Sequence, residues 1–274
     1  MQLTVNELSF HVLDEGEGPP VLLLHGFPDS SAVWRNQIPP LVAAGHRVIV
    51  PDLRGFGQSD RPDGVEAYRM KQLINDVLGI LATLSVERIG VVGHDWGASL
   101  AWALAAAAPQ VVDRLAVLSV GHPTAFFTDQ IRQRELSWYT LFFQFKGVAE
   151  AALRRDNWAL FRLFLRGDGD IDRYINDLDR PGALTAGLNW YRANASPEIF
   201  GQLNPQPLPP ATCPVLGVWS DGDNYVGETQ MVKSAKHVTG KWYYERIEGA
   251  SHWIPLSAPE RCTTLLVEFF RTIY

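Results

Sequence analysis

The chain has 274 residues, 46% hydrophobic and 20% charged, which fits one large globular domain or a core carrying an insertion and excludes a peptide-sized or wholly disordered module. A net charge of −6 and a pI near 5.6, without a dense Lys/Arg run, exclude the electrostatic footprint that nucleic acid or an anionic membrane demands. A neutral small molecule is the default partner.

In chain order, residues 1–17 have neither a basic start nor an apolar stretch, so no signal peptide is expected. Val21–His25 and Arg47–Val50 read as buried strands, and Leu73, Val77, Leu81 and Leu84 repeat at helical spacing. Ile89–Gly93 is a third strand, followed by an apolar helix from Ala98 to Ala108 that falls short of the roughly 20 residues a bilayer requires. Leu115–Val120 is the next strand. Between about Thr124 and Leu208 no good strand occurs, and aromatic residues cluster at helical spacing: Trp138, Phe142 and Phe145, then Trp158, Phe161 and Phe164. This is a helical insertion. Any one of these aromatics is more often core than ligand contact, but together they can lid a pocket. The proline-rich stretch Asn204–Pro210 ends the insertion as a stiff hinge. Strands at Val215–Trp219 and Trp242–Ile247 and a helix with Leu265, Leu266, Phe269 and Phe270 complete the alternation, which argues for a parallel sheet flanked by helices. Two cysteines, Cys213 and Cys262, form neither a disulfide framework nor a metal-ligand pattern. A reducing cytoplasm is the expected compartment.

The most informative string is Val91-Val-Gly-His-Asp-Trp-Gly-Ala98, a buried strand that passes through Gly93-x-Asp95-x-Gly97 directly into a helix. It reads as a nucleophile elbow with aspartate where serine usually stands. The glycines give a tight strand-to-helix reversal its backbone room, and the helix adds its positive end. The elbow alone leaves open that Asp95 merely caps the helix. Other residues favour the nucleophile. Val21-Leu-Leu-Leu-His-Gly-Phe-Pro28 is a strand ending in a turn whose free N–H groups can bind an oxyanion. Gly249-Ala-Ser-His252 puts a histidine in a loop after a strand, and Trp219-Ser-Asp221-Gly-Asp223 offers a carboxylate to orient it. The order nucleophile, acid, histidine is the one an α/β-hydrolase requires.

With His25-Gly-Phe-Pro28, Asp52-Leu-Arg-Gly-Phe-Gly-Gln-Ser59, Gly93-His-Asp-Trp-Gly97 and Gly249-x-x-His252 in order, nearly the whole chain resembles the α/β-hydrolases, and within them the epoxide hydrolases and their haloalkane dehalogenase relatives. The resemblance implies an α/β-hydrolase fold: a mostly parallel central sheet flanked by helices, with a core of residues 1–123 and 209–274 and a helical cap at 124–208. It also implies catalysis without metal or cofactor. Asp95 would be the nucleophile, His252 the base for water, and Asp223 or Asp221 its orienting acid, with spacing and the following Val226 favouring Asp223. The family's acid loop reads Gly-x-x-Asp, and Ser220 stands here in place of the glycine. An alternative position for the acid, in Ser119-Val-Gly-His-Pro123, supplies no carboxylate.

Aspartate suits attack at an sp3 carbon, because it leaves a hydrolysable ester where serine would leave an ether. With an ordinary pKa near 3.9 it is anionic at pH 7 and needs no base. An epoxide oxygen departs as an alkoxide and needs proton donors. The epoxide hydrolase family places a tyrosine in each of two cap helices, and Tyr139 in Ser137-Trp-Tyr139 and Tyr191 in Asn189-Trp-Tyr191-Arg192 fall on those positions. N–H groups of Phe27 and Trp96 would form the oxyanion hole, and Phe27, Trp96, Trp138, Trp190 and Trp253 would contact a small apolar epoxide. A haloalkane dehalogenase keeps the tryptophan after the nucleophile but often has asparagine in the His-Gly turn, where this chain has Phe27. Fluoroacetate dehalogenases have arginine at the position of Trp96. A non-catalytic receptor on the same scaffold is the competitor outside enzymes, and the intact acid and histidine argue against it. In the cap, Lys146 stands where proline is common. His25 and His94 are expected to hold turns locally; His11, His46, His122 and His237 belong to no constellation. Asp168, Asp170 and Asp172 lack EF-hand spacing and read as a solvated loop.

Overall fold

The computed structural model describes residues 1–126, 130–202 and 207–271. Their strands are β1 (Gln2–Val5), β2 (Leu8–Glu15), β3 (Pro20–Leu24), β4 (Arg47–Pro51), β5 (Ile89–His94), β6 (Val112–Leu118), β7 (Val215–Gly222) and β8 (Trp242–Ser251). They form one sheet in the order β1-β2-β4-β3-β5-β6-β7-β8. Pairings from β4 to β8 are parallel, whereas β1–β2 and β2–β4 are antiparallel. The six strands expected from apolar runs are present. All six residues of β5 are buried, as a strand covered on both faces must be.

β1 and β2 carry no such apolar run. They form an edge hairpin in which Phe10 and Val12 are buried between more exposed neighbours, and such alternation is a weaker signal than a continuous apolar run. Its two-residue turn, Asn6-Glu7, has φ of 51° and 65°, the twist a tight hairpin needs but without the glycine that usually marks it.

Helices α1 (Ile38–Ala43), α2 (Met70–Thr83) and α3 (Trp96–Ala107) lie among the first strands. Between β6 and β7 come α4 (Gln130–Leu136), α5 (Trp138–Phe142), α6 (Val148–Leu165), α7 (Ile171–Leu178), α8 (Ala183–Asn194) and α9 (Pro197–Gly201); α10 (Glu228–Lys233), α11 (Ile254–Ser257) and α12 (Pro259–Arg271) complete the chain. Among the described residues the regular elements between β6 and β7 are all helices, and residues 127–129 of that stretch and 203–206 of its proline-rich part lie outside the described residues. α6 is broken at Arg155–Trp158, where Asp156, Asn157 and Trp158 are left-handed. Trp158 and Phe161 pack in the core, but Trp138 and Phe145 of the first aromatic stripe are exposed.

Polar contacts seat the α4–α9 helices on the loops after β3 and β4. Asp29 accepts hydrogen bonds from Arg173 and, at 2.7 Å, from the Tyr174 hydroxyl. Trp190 donates its indole N–H to the Arg54 carbonyl at 3.0 Å, and Asn194 donates to Tyr68 O at 2.8 Å. Because β3 sits between β4 and β5, the strand order reverses there, and the crevice beyond their carboxyl ends is where an open α/β sheet takes its ligand. Among the described residues no helix is long and apolar enough to cross a membrane.

Candidate active site

Asp95 stands between β5 and α3 at φ 53° and ψ −121°, a backbone position that residues with a Cβ rarely adopt and that usually marks function. The reversal closes because Gly97 has no side chain: a Cβ there would lie 2.1 Å from Leu24 O. Asp95 occupies the N-cap position of α3 but makes no side-chain cap hydrogen bond. Its Oδ1 instead accepts the Phe27 N–H at 2.8 Å, from the turn after β3, and the Trp96 N–H also points at the carboxylate. Both proposed oxyanion donors therefore converge on Asp95. Gly26 permits the approach, since a Cβ there would fall 2.3 Å from Asp95 Oδ1.

His252, just after β8, turns Nε2 toward Asp95 Oδ2 at 3.6 Å and bonds Nδ1 to Asp223 Oδ2 at 2.7 Å. The other Asp223 oxygen accepts the N–H groups of Tyr225 and Val226 at 2.8 and 2.9 Å. Asp221 points elsewhere, taking the Gly249 N–H at 2.7 Å and pairing with Arg246. The geometry thus separates the two acids that the sequence left open.

Burial alone would lower the His252 pKa, but the Asp223 carboxylate, and after it Asp95, reverse this and raise it to about 10. Asp95 is pushed up by burial, yet His252 chiefly outweighs this and holds the carboxyl below its ordinary value. Both shifts favour an imidazolium at His252 facing an ionised Asp95 at neutral pH. His94, lowered to about 4 by burial and by the charge of His252, is neutral, so its 2.9 Å contact with the His252 carbonyl is a donated Nε2–H bond.

Tyr139 on α5 and Tyr191 on α8 are buried, with ring centroids 5.9 Å apart. Burial, and then the Asp95 charge, raise both hydroxyls well above the ordinary tyrosine value, a hydrogen bond from Trp96 opposing this at Tyr191. Both stay neutral proton donors across physiological pH. Together with Asp95 and Trp96 they line a cavity of about 370 Å³ whose other walls are largely carbon, from Val120, Phe126, Phe200 and Leu208 among others.

Not every expected contact lies at this cavity. Phe27 and Trp253 border the space beside His252, but Trp190 is wholly buried behind Trp96, at 6.0 Å between rings, and lines neither space. Trp138 is 49% exposed and faces a separate outer cavity. Its neighbour Tyr139 takes the inward face of the short helix α5, so Trp138 points outward.

Two residues at the site carried no assignment from sequence. Ser119, at φ 68°, donates its hydroxyl to the His252 carbonyl at 2.8 Å. The ring of Tyr225 lies 5.2 Å from that of His252. The only hint of Ser119 was a polar residue ending an otherwise apolar core strand. His25, as expected, holds its turn, accepting the Leu53 N–H at Nε2. His122 and His237 stack on each other at 4.4 Å. Asp170 and Asp172 form ion pairs with Arg35, Arg173 and Arg162, and among the described residues no three His, Cys, Asp or Glu side chains converge as a metal would need.

The chain matches the family model for the alpha/beta hydrolase fold over residues 19–259. It is 34% identical to the AB hydrolase superfamily protein YfhM of Bacillus subtilis, over 98% of this chain and 96% of that protein. It is 33% identical to epoxide hydrolase A of Mycobacterium tuberculosis, over 96% of this chain and 94% of its relative. Among solved structures, an epoxide hydrolase from Bacillus megaterium in complex with an inhibitor matches with a TM-score of 0.89 at 26% identity, covering 99% of this chain and 100% of that one.

Proposed function

The chain belongs to the α/β-hydrolase family, and on that footing we propose that it is an epoxide hydrolase, opening an apolar epoxide to a vicinal diol through an ester of Asp95. Relatives named as epoxide hydrolases support this reading. The observation that carries it is the pairing, across one apolar cavity, of an ionised carboxylate from the sheet with two buried neutral phenols from the helical insertion. In this reading residues 124–208 form a lid over a core of residues 1–123 and 209–274.

Asp95 attacks an epoxide carbon with Oδ2, the oxygen that Phe27 does not hold. The ring C–O bond breaks as its oxygen takes a proton from Tyr139 or Tyr191. Ester formation erases the Asp95 charge, so His252 loses one of its two carboxylate partners and releases its proton, which restores the tyrosine. Neutral His252, oriented by Asp223, then takes a proton from water as that water attacks Asp95 Cγ. Negative charge gathers on Oδ1, where the N–H groups of Phe27 and Trp96 stabilise it, a role typically worth about 3 to 4 kcal/mol per donor. Collapse breaks the ester bond at the acyl carbon. The diol leaves with the former Oδ2 and the new carboxyl's proton, returning Asp95 as carboxylate and His252 as imidazolium. Every step uses side chains, backbone and water, with no cofactor.

Mass spectrometry after incubation with styrene oxide tests the scheme. The His252→Gln protein should carry one substrate adduct, and the Asp95→Asn protein none. Absence of the adduct, or bromide release from a bromoalkane with no diol from the epoxide, would turn the reading over to dehalogenation.

A further inference from the structure

Two compartments open on the same three reactive side chains. Asp95, Tyr139 and Tyr191 line the cavity of about 370 Å³ and also a second space of about 10 Å³. The second is lined by Phe27, Phe164, Tyr225, His252 and Trp253. Four of these rings brace one another: Tyr225 lies 5.4 Å from Phe164, 5.7 Å from Trp253 and 5.2 Å from His252, and its hydroxyl donates to the Phe164 carbonyl at 2.8 Å; Phe27 packs on Tyr191 instead, at 5.5 Å. A space of that size is just enough for a single water molecule. It also has the polar neighbours a water needs, in the Asp95 carboxylate and the His252 imidazole.

A close-packed wall of interlocked aromatic rings cannot yield to a bulky group without shifting several neighbours at once. We propose, resting on the epoxide hydrolase reading, that the substrates are terminal epoxides: one ring carbon carries an apolar arm into the larger cavity, and the other carries only hydrogens and faces the space that holds the hydrolytic water. Epoxides with bulky groups on both carbons, in trans, are excluded by the wall of Phe27, Phe164, Tyr225 and Trp253.

The test compares styrene oxide with trans-stilbene oxide on the full-length protein, following diol. The expected kcat/KM for the trans epoxide is at least about 100-fold lower. Equal turnover of both would overturn the inference and leave the epoxide hydrolase reading standing; diol from neither, with bromide released from a bromoalkane, would overturn that reading and the inference with it. Phe164 also borders the outer cavity of about 590 Å³, so Phe164→Ala should join the small space to it. That variant should narrow the preference by at least about tenfold, by raising kcat/KM for the trans epoxide. An unchanged preference would refute the assignment of this wall as the barrier.

Discussion

The charge state of His252 offers a direct test of how the site would pass from attack to hydrolysis. Replacing Asp95 by asparagine removes one of its two carboxylate partners while keeping shape, and so imitates the electrostatics of the uncharged ester. At the 3.6 Å between His252 Nε2 and Asp95 Oδ2, and an effective dielectric constant of about 20, the lost attraction is about 4.6 kcal/mol. That corresponds to about three pH units. Starting from about 10, the imidazole of Asp95→Asn should titrate near 7, low enough to serve as a base. Nitrogen-15 NMR of labelled histidine reads this value in both proteins. Folding stability supplies a second readout. Because His252 in the wild type is raised above its ordinary 6.5, its contribution is full below that value and is lost as pH rises through about 10. Urea midpoints of the wild type should therefore fall between pH 7 and 10, and those of the variant should change less. An imidazole still titrating near 10 in the variant would refute the reasoning, for Asp223 alone would then hold the proton.

Tyr139→Phe and Tyr191→Phe should each lower kcat for epoxide opening by about 10- to 100-fold, and the double variant by more, measured as diol formed. Gly26→Ala should leave the protein folded by circular dichroism yet cut activity at least about 100-fold, because the added Cβ would meet the Asp95 carboxylate rather than backbone. Asp76→Ala strands the buried Arg54 guanidinium, which makes two charge-assisted bonds to Asp76 at 2.6 and 2.7 Å. Urea denaturation should find it destabilised by about 3 to 5 kcal/mol.

The sequence makes legible what local order encodes. The core strands are continuous apolar runs, and Asp95 is flanked by the glycines its bend needs, so both were visible in short windows. The β1–β2 hairpin was not, because an edge strand buries one face only and Asn6-Glu7 lacks the usual glycine. Contacts between residues far apart in sequence left no trace either: Asp29 with Arg173 and Tyr174, or the Ser119 hydroxyl on the His252 carbonyl. Each residue in those contacts is ordinary in its own segment. Trp138 and Tyr139 are adjacent aromatics of similar hydrophobicity, and only the packing of a five-residue helix decides which of them faces inward. The same holds for Asp221 and Asp223, whose roles depend on where the chain after β7 points.

The uneven tethering of the Asp95 carboxylate has a consequence for the bookkeeping of isotopes. If the oxygen pinned by Phe27 never leaves and its twin departs with each diol, the protein itself retains an atomic memory one cycle deep. In heavy-oxygen solvent the first product molecule would be unlabelled and the next would carry the oxygen drawn from solvent during the first. However many cycles followed, the side chain would hold one heavy atom, never two.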